Sequence, residues 1–169
     1  MIQIRHLIPK PLIALAAVVT LMVGLSTVAL AGVDVNTTRG LTLAGRGLAL
    51  RGYDPVAYFT AGKPVMGQAR YATTHNEATY RFSSKANLKA FKSNPERYVP
   101  QYGGFCAYGV SVGAKFDGDP HLWRIVDDKL YLNLNPKIQK LWEKDIPGNI
   151  IKADENWLVI QHKTPADLS

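Results

Sequence analysis

The chain has 169 residues, of which 20 are basic and 13 are acidic, so its net charge is +7 at neutral pH. Its one cysteine, Cys106, excludes an internal disulfide, so the apolar core has to stabilise the fold. No nucleic-acid motif and no phosphate-binding glycine loop accompanies the basic residues, and we expect no nucleic-acid partner.

The N-terminus has the features of an export signal. Arg5 and Lys10 form a positive segment, residues 12–25 form an apolar run, and small residues follow up to Ala31. We predict a signal peptide over residues 1–31, cleaved at its end, and a periplasmic protein. The apolar run is short for a membrane-spanning helix, which needs about 20 residues. We therefore expect no stable membrane anchor after cleavage.

The first part of the mature chain reads as a lead-in followed by a short helix. Residues 32–47 are rich in glycine and threonine, which predicts a flexible segment, and a short strand is expected at 48–50. Asp54 is a good N-cap and Pro55 a good first helical residue, so a single helical turn is predicted over 56–59. We expect Asp54 to serve chiefly as this cap.

A hairpin and a longer helix come next. Strand-forming residues between 70 and 82 flank a turn that has His75 at its tip. The serines at 83–84 then cap a helix that ends near Ser93, because the following Asn-Pro pair cannot continue it.

Cys106 lies in the run YGGFCAY at 102–108. Gly103 and Gly104 permit backbone angles that other residues avoid, and they let another chain or a ligand approach closely. Cysteine can be a nucleophile, a redox centre or a soft-metal ligand, and it is equally a small hydrophobe that is often buried. Residues 105–112 fit either a strand or a helix. The helix would place Cys106 in its first turn, where free N–H groups stabilise a thiolate.

The remainder of the chain predicts a second hairpin and two helices. The hairpin spans 123–132, after a loop that contains His121 and a turn at 117–120. Asn135 caps a helix that the Pro-Gly pair at 147–148 is expected to break. A last helix over about 149–157 and a polar tail at 161–169 follow.

These elements predict the fold class. Two hairpins alternate with short helices, and no strand–helix–strand repeat is present. We expect a single α+β domain over residues 48–160, with small antiparallel hairpins interleaved with short helices.

Several runs of this sequence together resemble the YHS-domain family, and in particular its small exported bacterial members. They are GYDPVAYF at 52–59, ATYRFSS at 78–84, NPERY at 94–98, PQYGGFCAY at 100–108 and DIPG at 145–148. The resemblance implies the same α+β domain and an association with copper transport and other metal handling.

The resemblance also bears on the cysteine. In metal-handling members of the family, two cysteines lie at the positions that Ser83 and Asn87 occupy here, and neither of these is a soft-metal ligand. In the exported members the thiol lies at the position of Cys106, where some relatives carry selenocysteine. The resemblance thus implies metal binding or redox chemistry at Cys106.

Three functions remain as hypotheses. In the first, Cys106 binds copper or another soft transition metal, and His75, His121 or a second copy completes the ligand set. In the second, Cys106 is a reactive thiol, and an external thiol resolves its oxidised form. In the third, the chain is a non-catalytic structural or interaction module, and no cofactor is expected.

Geometry distinguishes these hypotheses. A second soft ligand near the sulfur favours the first, an exposed Cys106 at a helix N-terminus favours the second, and a fully buried Cys106 favours the third. The partner would be an unidentified protein or a metal in the periplasm. The residues expected to line the site are Tyr53, Asp54, Tyr102, Gly103, Gly104 and Tyr108.

Overall fold

The computed structural model describes residues 34–38 and 47–168. The predicted signal peptide therefore lies outside the described residues. The strands are β1 (Thr37–Thr38), β2 (Leu48–Ala49), β3 (Gln68–His75), β4 (Ala78–Phe82), β5 (Asp119–Val126) and β6 (Lys129–Asn133). The α-helices are α1 (Pro55–Thr60), α2 (Lys85–Ser93), α3 (Ala107–Ser111), α4 (Pro136–Trp142) and α5 (Ile146–Ile160). Short 3₁₀ turns occur at Leu50–Gly52, Pro95–Arg97, Gln101–Gly104, Glu143–Asp145 and Pro165–Leu168.

Both predicted hairpins are confirmed, and the fold is α+β. Strands β3 and β4 pair antiparallel, as do β5 and β6. Each connection places two residues at positive φ, Asn76 and Glu77 in the first hairpin and Asp127 and Asp128 in the second. Two successive left-handed residues match the twist of the flanking strands, which is why Asn and Asp recur in such turns. Strand β5 begins at Asp119, inside the predicted turn at 117–120.

The first hairpin belongs to a four-stranded sheet with the order β1-β2-β4-β3. Strand β1 pairs antiparallel with β2, and β2 contacts β4 in the parallel direction through Leu48 and Thr79. Part of the predicted lead-in at 32–47 therefore forms an edge strand. A strand of two residues has too little alternation to be recognised in the sequence.

Side-chain caps begin helices α1, α2 and α4 where the sequence predicts them. Asp54 accepts from the Val56 N–H at 2.9 Å, and Ser84 and Asn135 cap α2 and α4 in the same way. The expected break at 147–148 is wrong, because α5 begins at Ile146. Proline fits the first turn of a helix, where its missing N–H has no acceptor within the helix.

Strand β6 separates two apolar cores. Leu130 and Leu132 join the first core, between the four-stranded sheet and helices α1 and α2. Tyr131, which points to the opposite face, joins the second core with Trp142 of α4 and Ala153 of α5. The segment that contains Cys106 runs beside β6, so the candidate site lies in the interior of the molecule.

Candidate functional site

Cys106 is the residue immediately before helix α3. Its N–H donates to the Phe116 carbonyl oxygen at 2.9 Å, and its backbone forms a parallel bridge with Leu132 of β6. The helical alternative for residues 105–112 is thus the observed one, with Cys106 at the N-cap rather than inside the first turn. Its exposed fraction is 0%.

The sulfur is held by a small network of buried groups. The Gly109 N–H donates to Sγ at 3.4 Å, which is the capping interaction of α3, and Sγ–H donates to Asn133 Oδ1 at 3.7 Å. The same oxygen accepts from the Tyr108 N–H at 3.4 Å. The sulfur therefore acts as a helix cap and as a weak donor at once.

Burial decides the protonation of this thiol. The N–H groups of Gly109, Leu134 and Tyr108 lower the pKa of Cys106, but desolvation outweighs them and the pKa is raised above its ordinary value. The thiol is consequently protonated at neutral pH, and a protonated thiol is a weak nucleophile and a weak metal ligand.

The two histidines that the sequence suggests as further ligands have other partners in the structure. His75 contacts Glu96 at 3.1 Å, and His121 contacts the Tyr53 hydroxyl at 2.8 Å. Within residues 34–38 and 47–168, no group of three or more His, Cys, Asp or Glu side chains is placed to hold a metal ion.

Gly103 and Gly104 receive another part of the same chain, whereas the sequence predicts the approach of another chain or a ligand. Both have positive φ, 61° and 85°. The Asn36 N–H donates to the Gly103 carbonyl oxygen at 2.8 Å, and Asn36 Nδ2 donates to the Gly104 carbonyl oxygen at 3.2 Å. A Cβ on Gly103 would overlap the carbonyl of Asp34. Segment 34–38 was missed at the sequence level, because nothing in its composition indicates a docked strand.

The two tyrosines of the run have structural partners. The Tyr102 hydroxyl donates to Asp154 Oδ1 at 2.8 Å, and its ring packs on Tyr131 and Trp157. Tyr108 is half-buried and packs against the second core. Both rings thus pack around the Cys106 segment, and Tyr102 also borders a groove that is lined by Asp34, Val35 and Gly103.

Asp54 is the centre of a second buried network. Its exposed fraction is 0%, and besides capping α1 it accepts from three donors on its other oxygen. These are the Ser83 N–H at 2.8 Å, Ser83 Oγ at 2.6 Å and Asn87 Nδ2 at 2.7 Å. The carboxylate joins α1 to the end of β4 and to α2. Tyr53, next to it, is engaged with His121 instead.

Lys115 is a buried cation that sequence reasoning missed. Its Nζ donates to the carbonyl oxygens of Gln161 and Lys163 at 2.6 and 2.8 Å, just beyond α5. It also lies 5.0 Å from the ring centroids of Phe105 and Trp157. Desolvation lowers the pKa of Lys115 to about 8. The role of this lysine is to close the end of α5 over the segment next to Cys106.

No protein-family model, no curated protein and no solved structure matches this chain. The resemblance to the YHS-domain family therefore stays a prediction. In the described part of the chain, none of the helices has the length and apolar composition that crossing a membrane requires.

Proposed function

We propose that this chain is a non-catalytic interaction module of the periplasm, in which Cys106 is a structural cap. The observation that supports this is the complete burial of the sulfur between the Gly109 N–H and the Asn133 amide. A thiol that is fully buried and protonated contributes packing and a capped helix end rather than reactivity.

A thiol redox function is the second candidate, and one observation favours it. Three backbone N–H groups lower the pKa of Cys106, so the same geometry would stabilise a thiolate if water reached the sulfur. A peroxide could then convert the thiolate to a sulfenate, with one peroxide oxygen bound to sulfur and the other released as an alcohol or water. An external thiol would be needed to restore Cys106, since the chain has no second cysteine.

A thiol-reactivity titration of the folded mature chain tests both candidates. The rate of reaction with a chromogenic disulfide reports Cys106 alone, because it is the one thiol of the chain. We expect no reaction between pH 6 and pH 9 until denaturant unfolds the protein. Fast reaction of the folded chain with a low apparent pKa would support the redox candidate instead.

The same titration in the presence of Cu(I) tests the predicted copper site. Protection of a reactive native thiol by one equivalent of Cu(I) or less would overturn the structural role and support metal binding. A second folded sample is exposed to Cu(I), desalted to remove unbound copper and then unfolded. We expect its thiol to react as fast as that of an untreated unfolded sample, which would show that the folded chain retained no Cu(I) at Cys106.

A further inference from the structure

Residues 34–38 are held in the manner of a bound peptide. Val35 is 6% exposed and belongs to the first core, and Asn36 makes its two hydrogen bonds to Gly103 and Gly104. Thr37 pairs with Ala49 at the edge of the four-stranded sheet. At the start of the segment, Asp34 contacts His162 at 3.0 Å. Every one of these contacts is to residues outside the segment.

The hold on this segment is local. Among the described residues, its contacts are one inserted apolar side chain, a two-residue pairing at a sheet edge, the bonds of Asn36 and one exposed ion pair. Elements with few buried contacts and exposed pairing open independently of the rest of a fold. The remaining edge of strand β2 would then be unpaired, and unpaired edges accept another strand.

The grooves on either side show what the segment covers. A groove of about 780 Å³ lies along Asp34 and Val35, and a second one of about 770 Å³ lies along Asn36 and Thr37. Gly103 borders the first groove and Gly104 the second, so the segment forms the wall between them. The segment and the glycine pair therefore line both grooves together.

We propose that the surface beneath residues 34–38 is a peptide-binding groove, and that it accepts an extended peptide with the pattern acidic–Val–Asn supplied by a partner. The apolar site of Val35 selects the middle residue, and the Gly104 carbonyl selects an asparagine-like side-chain donor. The Gly103 carbonyl accepts a main-chain N–H, which every residue except proline can supply. The sheet edge supplies main-chain bonds, as in other cases of strand addition. This inference rests on the proposed interaction function and names the class of its partner.

Peptide binding to the mature chain, residues 32–169, tests the groove. The variant Val35→Asp is designed to release the chain's own segment, because a carboxylate is unfavourable in the apolar site. The control Val112→Asp makes the same substitution at a surface position outside the segment, where the valine is 61% exposed. The probe is a fluorescein-labelled peptide of residues 32–38, and its anisotropy reports binding.

We expect the labelled peptide to bind the Val35→Asp chain at least tenfold more tightly than the wild-type or Val112→Asp chain, in which the attached segment competes. A peptide that itself carries Val35→Asp should bind none of them. The proposal is overturned if the folded Val35→Asp chain fails to bind, or if both peptides bind it equally.

Hydrogen exchange of the wild-type chain covers the case in which Val35→Asp does not fold. We expect the Asn36 amide to exchange at least tenfold faster than the slowest amides of β4 and β6, through local release of the segment. Exchange at the rate of those amides would mean that the segment leaves only on global unfolding, and the groove would be refuted. A reactive native Cys106 would overturn the structural cap without altering these results.

Discussion

The buried carboxylate of Asp54 provides the sharpest test of how the fold is held together. As a helix cap alone, Asp54 would contribute about 1 kcal/mol, the usual loss when a capping residue becomes alanine. In the structure it also accepts from Ser83 twice and from Asn87, with all of these distances at or below 2.8 Å. Hydrogen bonds to a charged group contribute about 1.5–3 kcal/mol each, although they are not additive.

We therefore expect Asp54→Ala to lower the free energy of unfolding by about 3–5 kcal/mol, since it leaves several buried donors without an acceptor. For a domain of this size, that loss corresponds to a decrease in Tm of roughly 10–15 °C. Asp54→Asn should lose nearly as much stability, because the NH₂ group of asparagine is a donor and would face N–H or O–H donors that now bond to a carboxylate oxygen.

Urea unfolding at pH 7, followed by tryptophan fluorescence, measures these losses, and Ser84→Ala is the matched control. The Ser84 side chain caps α2 through one bond to the Asn87 N–H, and it makes no second hydrogen bond in the described part of the chain. We expect this control to lose about 1 kcal/mol. A loss for Asp54→Ala no larger than that of the control would show that Asp54 is only a cap, and the reasoning about its network would be wrong.

Three further outcomes are expected. Gly103→Ala and Gly113→Ala both place alanine at positive φ, which costs about 1 kcal/mol. Only Gly103→Ala should also abolish protection of the Asn36 amide, because at Gly113 a Cβ meets no neighbour; equal protection in the two variants would contradict this. In urea unfolding, Cys106→Ser should lose about 1 kcal/mol less stability than Cys106→Val, because serine can cap α3 and valine cannot. A larger loss for serine would mean that the sulfur contributes only hydrophobic packing. The folded chain should lose stability above about pH 10, because burial raises the tyrosine pKa values, that of Tyr131 to about 12, and the unfolded chain releases these protons first. Lys115 acts with the opposite sign between pH 8 and 10.5, so thermal melts that show a decline already at pH 8–9 would contradict this assignment. The other buried tyrosines with raised pKa values are Tyr58, Tyr80 and Tyr102.

Local signals in the sequence are sufficient to predict both hairpins and the first residues of most helices. Turn residues with access to positive φ and side chains that can cap a helix act through neighbours a few positions away, so their effect is independent of the rest of the fold. The docking of residues 34–38 and the position of Lys115 depend on contacts across more than forty residues. Such contacts leave no periodic pattern in the sequence.

Asp54 has one role that the sequence predicts and a second that depends on long-range contacts. Its capping of α1 follows from the adjacent Pro55 and was predicted. Its three bonds to Ser83 and Asn87 could not be predicted, because they require β4 and α2 to be packed against α1. The sequence thus predicts that Asp54 caps a helix, but it does not predict the bonds that supply most of its contribution to the stability of the fold.

The burial of Cys106 also explains why a cysteine occupies a capping position. Caps are usually Ser, Thr, Asp or Asn, whose oxygens keep some contact with water. At 0% exposure a hydroxyl or carboxylate has to be desolvated, which at the equally buried Asp54 is offset by donors from Ser83 and Asn87, whereas a thiol loses little on transfer to an apolar interior. Sulfur still accepts from the Gly109 N–H, so it satisfies the helix end at a lower desolvation cost. The N–H groups that make it a good cap are the ones that would stabilise a thiolate, so access of water to Cys106, rather than its local geometry, separates a structural thiol from a reactive one.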